Sequence, residues 1–349
     1  MSEQPQTSRR GSPLPWVLSR ILGWSPVTLL TGCSATHITF LDPQGPIAQA
    51  QRQHFWFVVA MTMIVVLPVI IQTPWILWRY RYGGKAPYRP HWDMSRWLDV
   101  MMWGVPVIVV AILAVVLWQQ THRLDPYRPL DSDKAPLQVQ VVGFDWKWLF
   151  IYPEQGIATM GQLVLPADRP ISFQLTSATV LQTFFIPALG GQIDAMNRMV
   201  TKLHLQANHT GRFAGKNMQY NGGGFHHQRF TVRVVDDRQF DDFIAHAHRQ
   251  GQPLDRQRYE EVLVQQGDTA DAARALGLTS YQRGEPIRFA PIPRDLFRGI
   301  VDDAPFESAV HNPAPHQQAA MHPVAYQALP PKQQTPPKPT LPQDKETSQ

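Results

Sequence analysis

The sequence predicts a membrane-anchored all-β protein: two transmembrane helices followed by a periplasmic β-sandwich with a small helical C-terminal appendage. Three observations predict it. Two apolar blocks, Phe55 to Trp78 and Trp97 to Trp118, each exceed the roughly 20 residues that cross a bilayer core. After Trp118 the hydrophobic period falls to two, in short segments separated by turn residues. The stretch joining the two blocks carries five basic side chains, Arg79, Arg81, Lys85, Arg89 and Arg96, which places it in the cytoplasm.

Composition sets the outer limits. A chain of 349 residues accommodates two domains, or one domain with membrane segments. Its net charge of +5 is modest, and along the sequence the basic residues form no stripe interleaved with aromatics, which argues against nucleic-acid binding. The single cysteine, Cys33, excludes an intrachain disulfide and any paired-cysteine metal site within this chain.

Residues 1–32 read as a lipoprotein signal peptide. Arg9, Arg10 and Arg20 precede "ILGWSPVTLLTGC", a short apolar stretch ending in small residues. Leu30-Thr31-Gly32-Cys33 resembles a bacterial lipobox, in which the cysteine is diacylated and opens the mature chain; the plainer alternative for Cys33 is a buried thiol. A periplasmic segment, 33–53, then leads to the first span, 54–78. The cytoplasmic loop is 79–96 and the second span 97–118. Tryptophans stand at both ends of each block, as an interfacial belt requires. Pro68, Pro74 and Pro106 are expected to kink the helices.

Asp99 lies near the cytoplasmic end of the second span. An acid in a membrane segment is a functional candidate because its desolvation needs a partner or a water path. Arg96, three residues earlier on the same helix face, offers a simpler account in which the pair snorkels to the interface.

Residues 119–236 form the expected β domain, with the sandwich itself beginning near Pro136. "PLQVQVVGFDWKWLF", "ISFQLTS", "KLHLQAN" and "FTVRVV" alternate apolar and polar residues, and "PADRP", "ANHTG" and "NGGG" supply turns. Trp146 and Trp148, two apart on an expected strand, are expected on one face. From Asp236 the period becomes helical in "DRQFDDFIAHAHRQ" and "RQRYEEVLVQQG", giving a helical appendage over 237–303. The remainder, 304–349, is rich in Pro and Gln and has too little apolar area to offset ordering, so it reads as a disordered tail.

One loop looks built for a metal. "GKNMQYNGGGFHH", Gly215 to His227, combines a methionine, two histidines and several glycines, yet it has no Cys, Asp or Glu. On an extended strand His226 and His227 would point to opposite faces and could not share an ion. His204, His209, His246 and His248 are isolated and read as structural or solvent-facing.

"DWKWLFIYPEQGIAT" (Asp145 to Thr159), "FFIPALGGQIDAM" (Phe184 to Met196) and "TKLHLQAN" (Thr201 to Asn208), after two spans and a lipobox, closely resemble subunit II of the bacterial cytochrome o ubiquinol oxidases, which are haem-copper terminal oxidases. The resemblance runs from about Cys33 to Asp303. It implies that the β domain is cupredoxin-like. In the cytochrome c branch of that family the domain carries a dinuclear copper centre, CuA, whose core is two bridging thiolates. In the quinol branch the centre is lost.

Matched by position, the first His of that centre falls on Gln182 and the two Cys on Asn217 and Asn221. Gln219 stands for the Glu whose backbone carbonyl binds, Phe225 for the second His and Gln228 for the Met. The resemblance therefore implies no metal and no cofactor bound by this subunit, with haems and CuB in a separate subunit I and ubiquinol as the substrate of the complex. It implies subunits I, III and IV and membrane lipid as partners, and neither cytochrome c nor nucleic acid. The location implied is the bacterial inner membrane. Asp99 matches an acidic position near the mouth of a proton pathway in the family, where Glu is frequent. The expected function is that of a structural and docking subunit of a proton-pumping ubiquinol oxidase; the alternative is a membrane-anchored scaffold or assembly lipoprotein outside any oxidase.

Overall fold

In the computed structural model the described residues are 39–304, apart from 85, 88–90, 92 and 93. The expected signal peptide, Cys33, the tail, and Lys85 and Arg89 of the loop lie outside the described residues.

Helix α1 spans Pro46–Arg79 and α2 spans Arg96–Arg123. The 34 residues of α1 extend about 50 Å at 1.5 Å per residue, well beyond a hydrocarbon core of about 30 Å. The helix thus begins at Pro46, eight residues ahead of the expected span, and is longer than a bilayer core requires. Pro46 suits this start because its missing N–H would have no intrahelical partner there. Along the spans, Trp75, Trp78, Trp97, Trp103 and Trp118 are exposed, with most of the aliphatic side chains around them. Helices apolar around their whole circumference belong in lipid or against other membrane helices.

The β domain is a two-sheet sandwich. Its strands are β1 (Leu137–Phe144), β2 (Lys147–Tyr152), β3 (Ile157–Met160), β4 (Gln162–Pro166), β5 (Pro170–Ser177) and β6 (Gln182–Phe185). They continue with β7 (Gln192–Ala195), β8 (Thr201–Gln206), β9 (Gly211–Asn217), β10 (Arg229–Val235) and β11 (Ile287–Phe289). One sheet has the order β11-β3-β2-β1-β5-β8 and the other β4-β10-β9-β6-β7. The pairs β1–β5 and β4–β10 are parallel, so the chain crosses between sheets rather than meandering.

Between the sheets lies an aromatic core. Phe184 and Phe230 stack at 5.2 Å, Phe150 meets Phe230 at 5.0 Å, and Trp148 meets Phe184 edge-on at 5.5 Å. Each large ring removes much apolar surface from water and adds directional contact. Tyr152 crosses the same space: its hydroxyl donates to the Val164 carbonyl and accepts from the Val164 N–H, both at 2.9 Å. That pins the first sheet to the second.

A second core lies on the outer face of the first sheet. Val142, Phe144, Leu149, Ile151 and Met160 pack there against Leu263, Ala272, Phe289, Leu296, Phe297 and Ile300. The segment after the sandwich holds α3 (Asp237–Gln250), which packs against the aromatic core through Phe240 and Ala247, and then the covering elements α4 (Arg256–Arg258) continuing as a π-helix (Tyr259–Leu263), α5 (Thr269–Ala275) and α6 (Leu296–Asp302). It is more than helical, because β11 joins the sheet edge beside β3. Strand β2 is consequently buried at every residue, and β1 changes from alternating to continuous burial at Val141. A strand covered on both faces has no solvent side for polar alternation.

Lys147 is the exception in that strand, a lysine only 2 % exposed. Its Nζ donates to the carbonyls of Gln265 at 2.5 Å and Gly267 at 3.2 Å, closing the loop before α5 onto the sheet. Burial pushes its ammonium down to about 8, and the fields of Asp145, Asp271 and Asp268 oppose that shift.

The sandwich is fixed to α1 through the "PALGGQ" turn. The Gln44 N–H donates to the Ala188 carbonyl and the Asn208 N–H to the Gln44 carbonyl, both at 2.8 Å. Gly190, at φ +85°, lies so close that a Cβ there would sit 2.8 Å from the Ala48 nitrogen. Only glycine permits both that backbone conformation and that approach. On the other side His204 Nδ1 lies 3.0 Å from the Pro126 carbonyl, which ties the chain leaving α2 to β8.

The depressed Lys147 value fixes a sign for pH dependence. The unfolded chain holds this proton up to about 10.5 and the folded chain only to about 8, so between those values the unfolded state binds more protons. Relative to Lys147→Met, the native protein gains unfolding free energy as pH rises through this window, by at most about 1.4 kcal/mol per pH unit. Denaturant titrations of both proteins at pH 7.5 and pH 10 measure it.

Candidate functional site

The six positions matched to metal ligands gather at one end of the second sheet. Gln182 opens β6, Asn217 closes β9, Gln228 immediately precedes β10, and Gln219, Asn221 and Phe225 lie on the connection between β9 and β10. β9 pairs with both β6 and β10, so residues distant in sequence converge.

Four of the six side chains form a closed amide junction. Gln228 Oε1 accepts from Asn217 Nδ2 at 2.9 Å and from Asn221 Nδ2 at 2.7 Å. Gln228 Nε2 donates to Gln182 Oε1 at 2.5 Å and to the Phe144 carbonyl at 3.2 Å. Gln182 Nε2 donates to the same carbonyl at 3.0 Å and to Thr179 Oγ1 at 3.3 Å. Asn217 Oδ1 accepts from the N–H groups of Thr183 and Gln219, both at 2.9 Å. Gln182, Asn217 and Gln228 are buried to within a few per cent, where an unpaired amide would be costly.

Gln219 and Phe225 take other roles. The Gln219 side chain is exposed and only its backbone joins the junction, its carbonyl accepting from Asn217 Nδ2 at 2.7 Å. By the resemblance, that carbonyl is the one matched to a copper-binding carbonyl of the cytochrome c branch. Phe225 turns onto Tyr220, with ring centroids 5.7 Å apart.

These residues do not fit a dinuclear copper centre. They offer neutral amide groups already committed to one another, where such a centre needs two soft thiolates. Asn221 Oδ1 is buried without a hydrogen-bond partner, but a single amide oxygen is a hard, weak donor. Among the described residues, no three His, Cys, Asp or Glu side chains group closely enough to hold a metal ion.

Two expectations from sequence are corrected. Trp146 and Trp148 do not share a strand face: Trp146 sits at φ +68° in the turn between β1 and β2, ahead of Lys147. Its Nε1 donates to the Asn221 carbonyl at 3.2 Å, and its ring covers the loop at Gly224, where a Cβ would sit 2.0 Å from a ring carbon. Only Trp148 enters the core. Secondly, His226 and His227 are in a 3-10 turn, Phe225–His227, rather than extended, and their rings lie 3.8 Å apart. His227 Nδ1 then faces Arg283 Nη1 at 2.9 Å, away from the junction.

Sequence reasoning passed over Thr179, Thr183 and the Phe144 carbonyl, which complete the junction. No motif marks them, since two serve only through backbone atoms. Asp99 lies in the first turn of α2 and is exposed, far in the chain from the junction. The two candidate sites are separate.

Three comparisons bear on what this arrangement belongs to. Residues 156–235 match the family model described as cytochrome c oxidase subunit II, periplasmic domain. The chain is 43% identical over 243 residues to "Cytochrome bo(3) ubiquinol oxidase subunit 2" of Pseudomonas putida, covering 69% of this chain and 76% of that protein. It is 40% identical over 248 residues to "Ubiquinol oxidase subunit 2" of Acetobacter aceti, covering 70% and 80%. Among solved structures, the periplasmic domain of subunit II of the Bradyrhizobium japonicum cytochrome oxidase aligns at 26% identity and a TM-score of 0.33, covering 34% of this chain and 96% of that one.

The junction sets a contrast among substitutions. Gln228→Leu leaves the amides of Asn217, Asn221 and Gln182 short of partners in a buried site, and it lowers unfolding free energy by more than about 2 kcal/mol. Gln219→Ala, which spares the backbone contacts, costs less than about 0.5 kcal/mol. Chemical denaturation of the two variants beside the native protein checks both.

Proposed function

The chain belongs to the subunit II family of the bacterial ubiquinol oxidases, and from that premise we propose that it is the structural and docking subunit of a proton-pumping oxidase without a redox centre of its own. It is a multi-pass subunit of the inner membrane with its C-terminal domain in the periplasm, and other oxidase subunits are its partners. In the proposed reaction two ubiquinols yield two ubiquinones, four protons and four electrons, and the electrons reduce one dioxygen with four protons to two waters. The haems and CuB that carry this chemistry are assigned to subunit I, with subunits III and IV completing the assembly.

One observation carries the choice of donor: the ligand frame is filled by the Gln182, Asn217, Asn221 and Gln228 amides bonded to one another. A soluble periplasmic electron donor would need a relay at this end of the sandwich. Quinol, which resides in the membrane, does not. The sandwich then acts mechanically, held rigidly on α1 and α2 by Gly190, Gln44 and His204 while it caps the periplasmic face of the catalytic subunit.

Two further roles rest on position. Asp99, exposed on the first turn of α2 beside the loop assigned to the cytoplasm, assists proton entry, since a carboxyl there can exchange protons with cytoplasmic water and face a neighbouring subunit. Cys33, outside the described residues, carries the lipid that holds the mature N-terminus at the periplasmic surface.

Oxygen consumption by the purified complex discriminates the donors: ubiquinol supports turnover and reduced cytochrome c does not, whereas turnover on cytochrome c would overturn the reading. Asp99→Asn slows turnover and proton uptake severalfold without loss of assembled complex. An unchanged rate in that variant returns Asp99 to a snorkelling role.

A further inference from the structure

The outer face of the β9–β10 hairpin is organised by charge in a way the oxidase reading does not use. Arg212 lies directly opposite Arg233, and Lys216 directly opposite Arg229, with Ala214 opposite Thr231 between them. The alternation of β9 and β10 puts all six side chains on the solvent side, opposite the buried Phe230 and Val232. Like charges facing each other across an antiparallel pair destabilise it, and this hairpin has two such pairs. Among the described residues, none of the four cations forms an ion pair or a side-chain hydrogen bond.

The pattern also makes a concavity. Arg212 and Arg229 stand four steps of strand apart, about 14 Å, and the small Ala214 and Thr231 form a floor between them. The C-terminal segment walls one side with Asp268–Ala270 and Tyr281–Gly284, and His226 and His227 close an end, giving a cleft of about 340 Å3. Arg283 also lines the cleft, its guanidinium paired with Asp268, and the Thr231, Thr269 and Tyr281 hydroxyls add neutral donors.

The acids nearby are already engaged. Asp268 Oδ1 accepts from the N–H groups of Ala270 and Asp271, and its Oδ2 accepts from Arg283 Nη2 at 3.0 Å. Glu285 accepts from the Gln282 N–H and faces Arg288. Neither neutralises Arg212 or Arg229.

We propose that this cleft binds a phosphate-bearing anion, with Arg212 and Arg229 as its anchors and the Ala214–Thr231 floor as its seat. Guanidinium groups match phosphate oxygens in bidentate pairs, and a phosphate bound by Arg212 and Arg229 neutralises one member of each like-charged pair, Arg233 and Lys216 lying outside the cleft lining. The phosphate belongs either to a phospholipid headgroup or to a soluble ion.

The purified oxidase complex tests this. Inorganic phosphate is titrated calorimetrically into the native complex, an Arg212→Ala/Arg229→Ala double variant, and a Lys202→Ala control on the other sheet. In parallel, native mass spectrometry counts the phosphatidylglycerol retained by each complex from mixed vesicles of phosphatidylcholine and phosphatidylglycerol. The double variant relieves like-charge opposition, so it folds and assembles. It is expected to bind phosphate at least about tenfold more weakly than the native and control proteins, which identifies a soluble ion, or to retain one phosphatidylglycerol fewer, which identifies a headgroup. Equal phosphate affinity together with equal lipid retention in all three proteins overturns the proposal.

Discussion

The side-chain amide of Gln228 spends both N–H groups and both oxygen lone pairs on neighbours, and one end of the sandwich is organised around it. It joins Asn217 at the end of β9, Asn221 in the following loop, Gln182 at the start of β6 and the Phe144 carbonyl at the end of β1. Four chain segments from both sheets thus meet at one group. In the cytochrome c branch of the family that the sequence resembles, the matched positions are those of the copper ligands, whose coordinate bonds would do the joining. Here hydrogen bonds between amides take over the mechanical role. Burial of Gln182, Asn217 and Gln228 reinforces them, since each bond gains strength and each loss becomes costly where water is excluded.

The Trp146 indole helps to exclude that water. Its left-handed backbone swings the ring out of the strand direction and over Gly224, while its N–H holds the Asn221 carbonyl. These contacts give the loop a defined shape. Of its glycines Gly224 serves packing, admitting the indole face where any side chain would clash. A frame filled by amides bonded to one another suits the proposed subunit, whose periplasmic domain docks rather than conducts.

Elsewhere the structure is held by contacts that cross long sequence distances. Lys147 reaches the carbonyls of Gln265 and Gly267, some 118 and 120 residues onward, and so fastens the C-terminal segment over the outer face of the first sheet. That cover turns a one-sided sheet into a two-sided one. Gly190 and the Gln44 backbone do the equivalent for the membrane helices, setting the sandwich directly on the first turns of α1. Motion of the domain relative to the spans would have to break these backbone contacts first.

The sequence by itself determined the two spans, their orientation, the strands that alternate and the absence of thiolates, because each of these follows from local composition or period. Leu137 to Val141 alternates as read, since only one face of that half of β1 is covered. It did not determine that Lys147 to Tyr152 would be buried on both faces or that Ile287–Phe289 would complete the sheet, because the cover comes from residues more than a hundred positions away. The substitutions at Gln182, Asn217, Asn221 and Gln228 were legible one by one through the resemblance. That the four amides bond to one another, while Gln219 and Phe225 turn aside, was decided only by the tertiary structure: hydrogen-bond geometry depends on strands β6, β9 and β10 being brought side by side, and no local pattern records that distance.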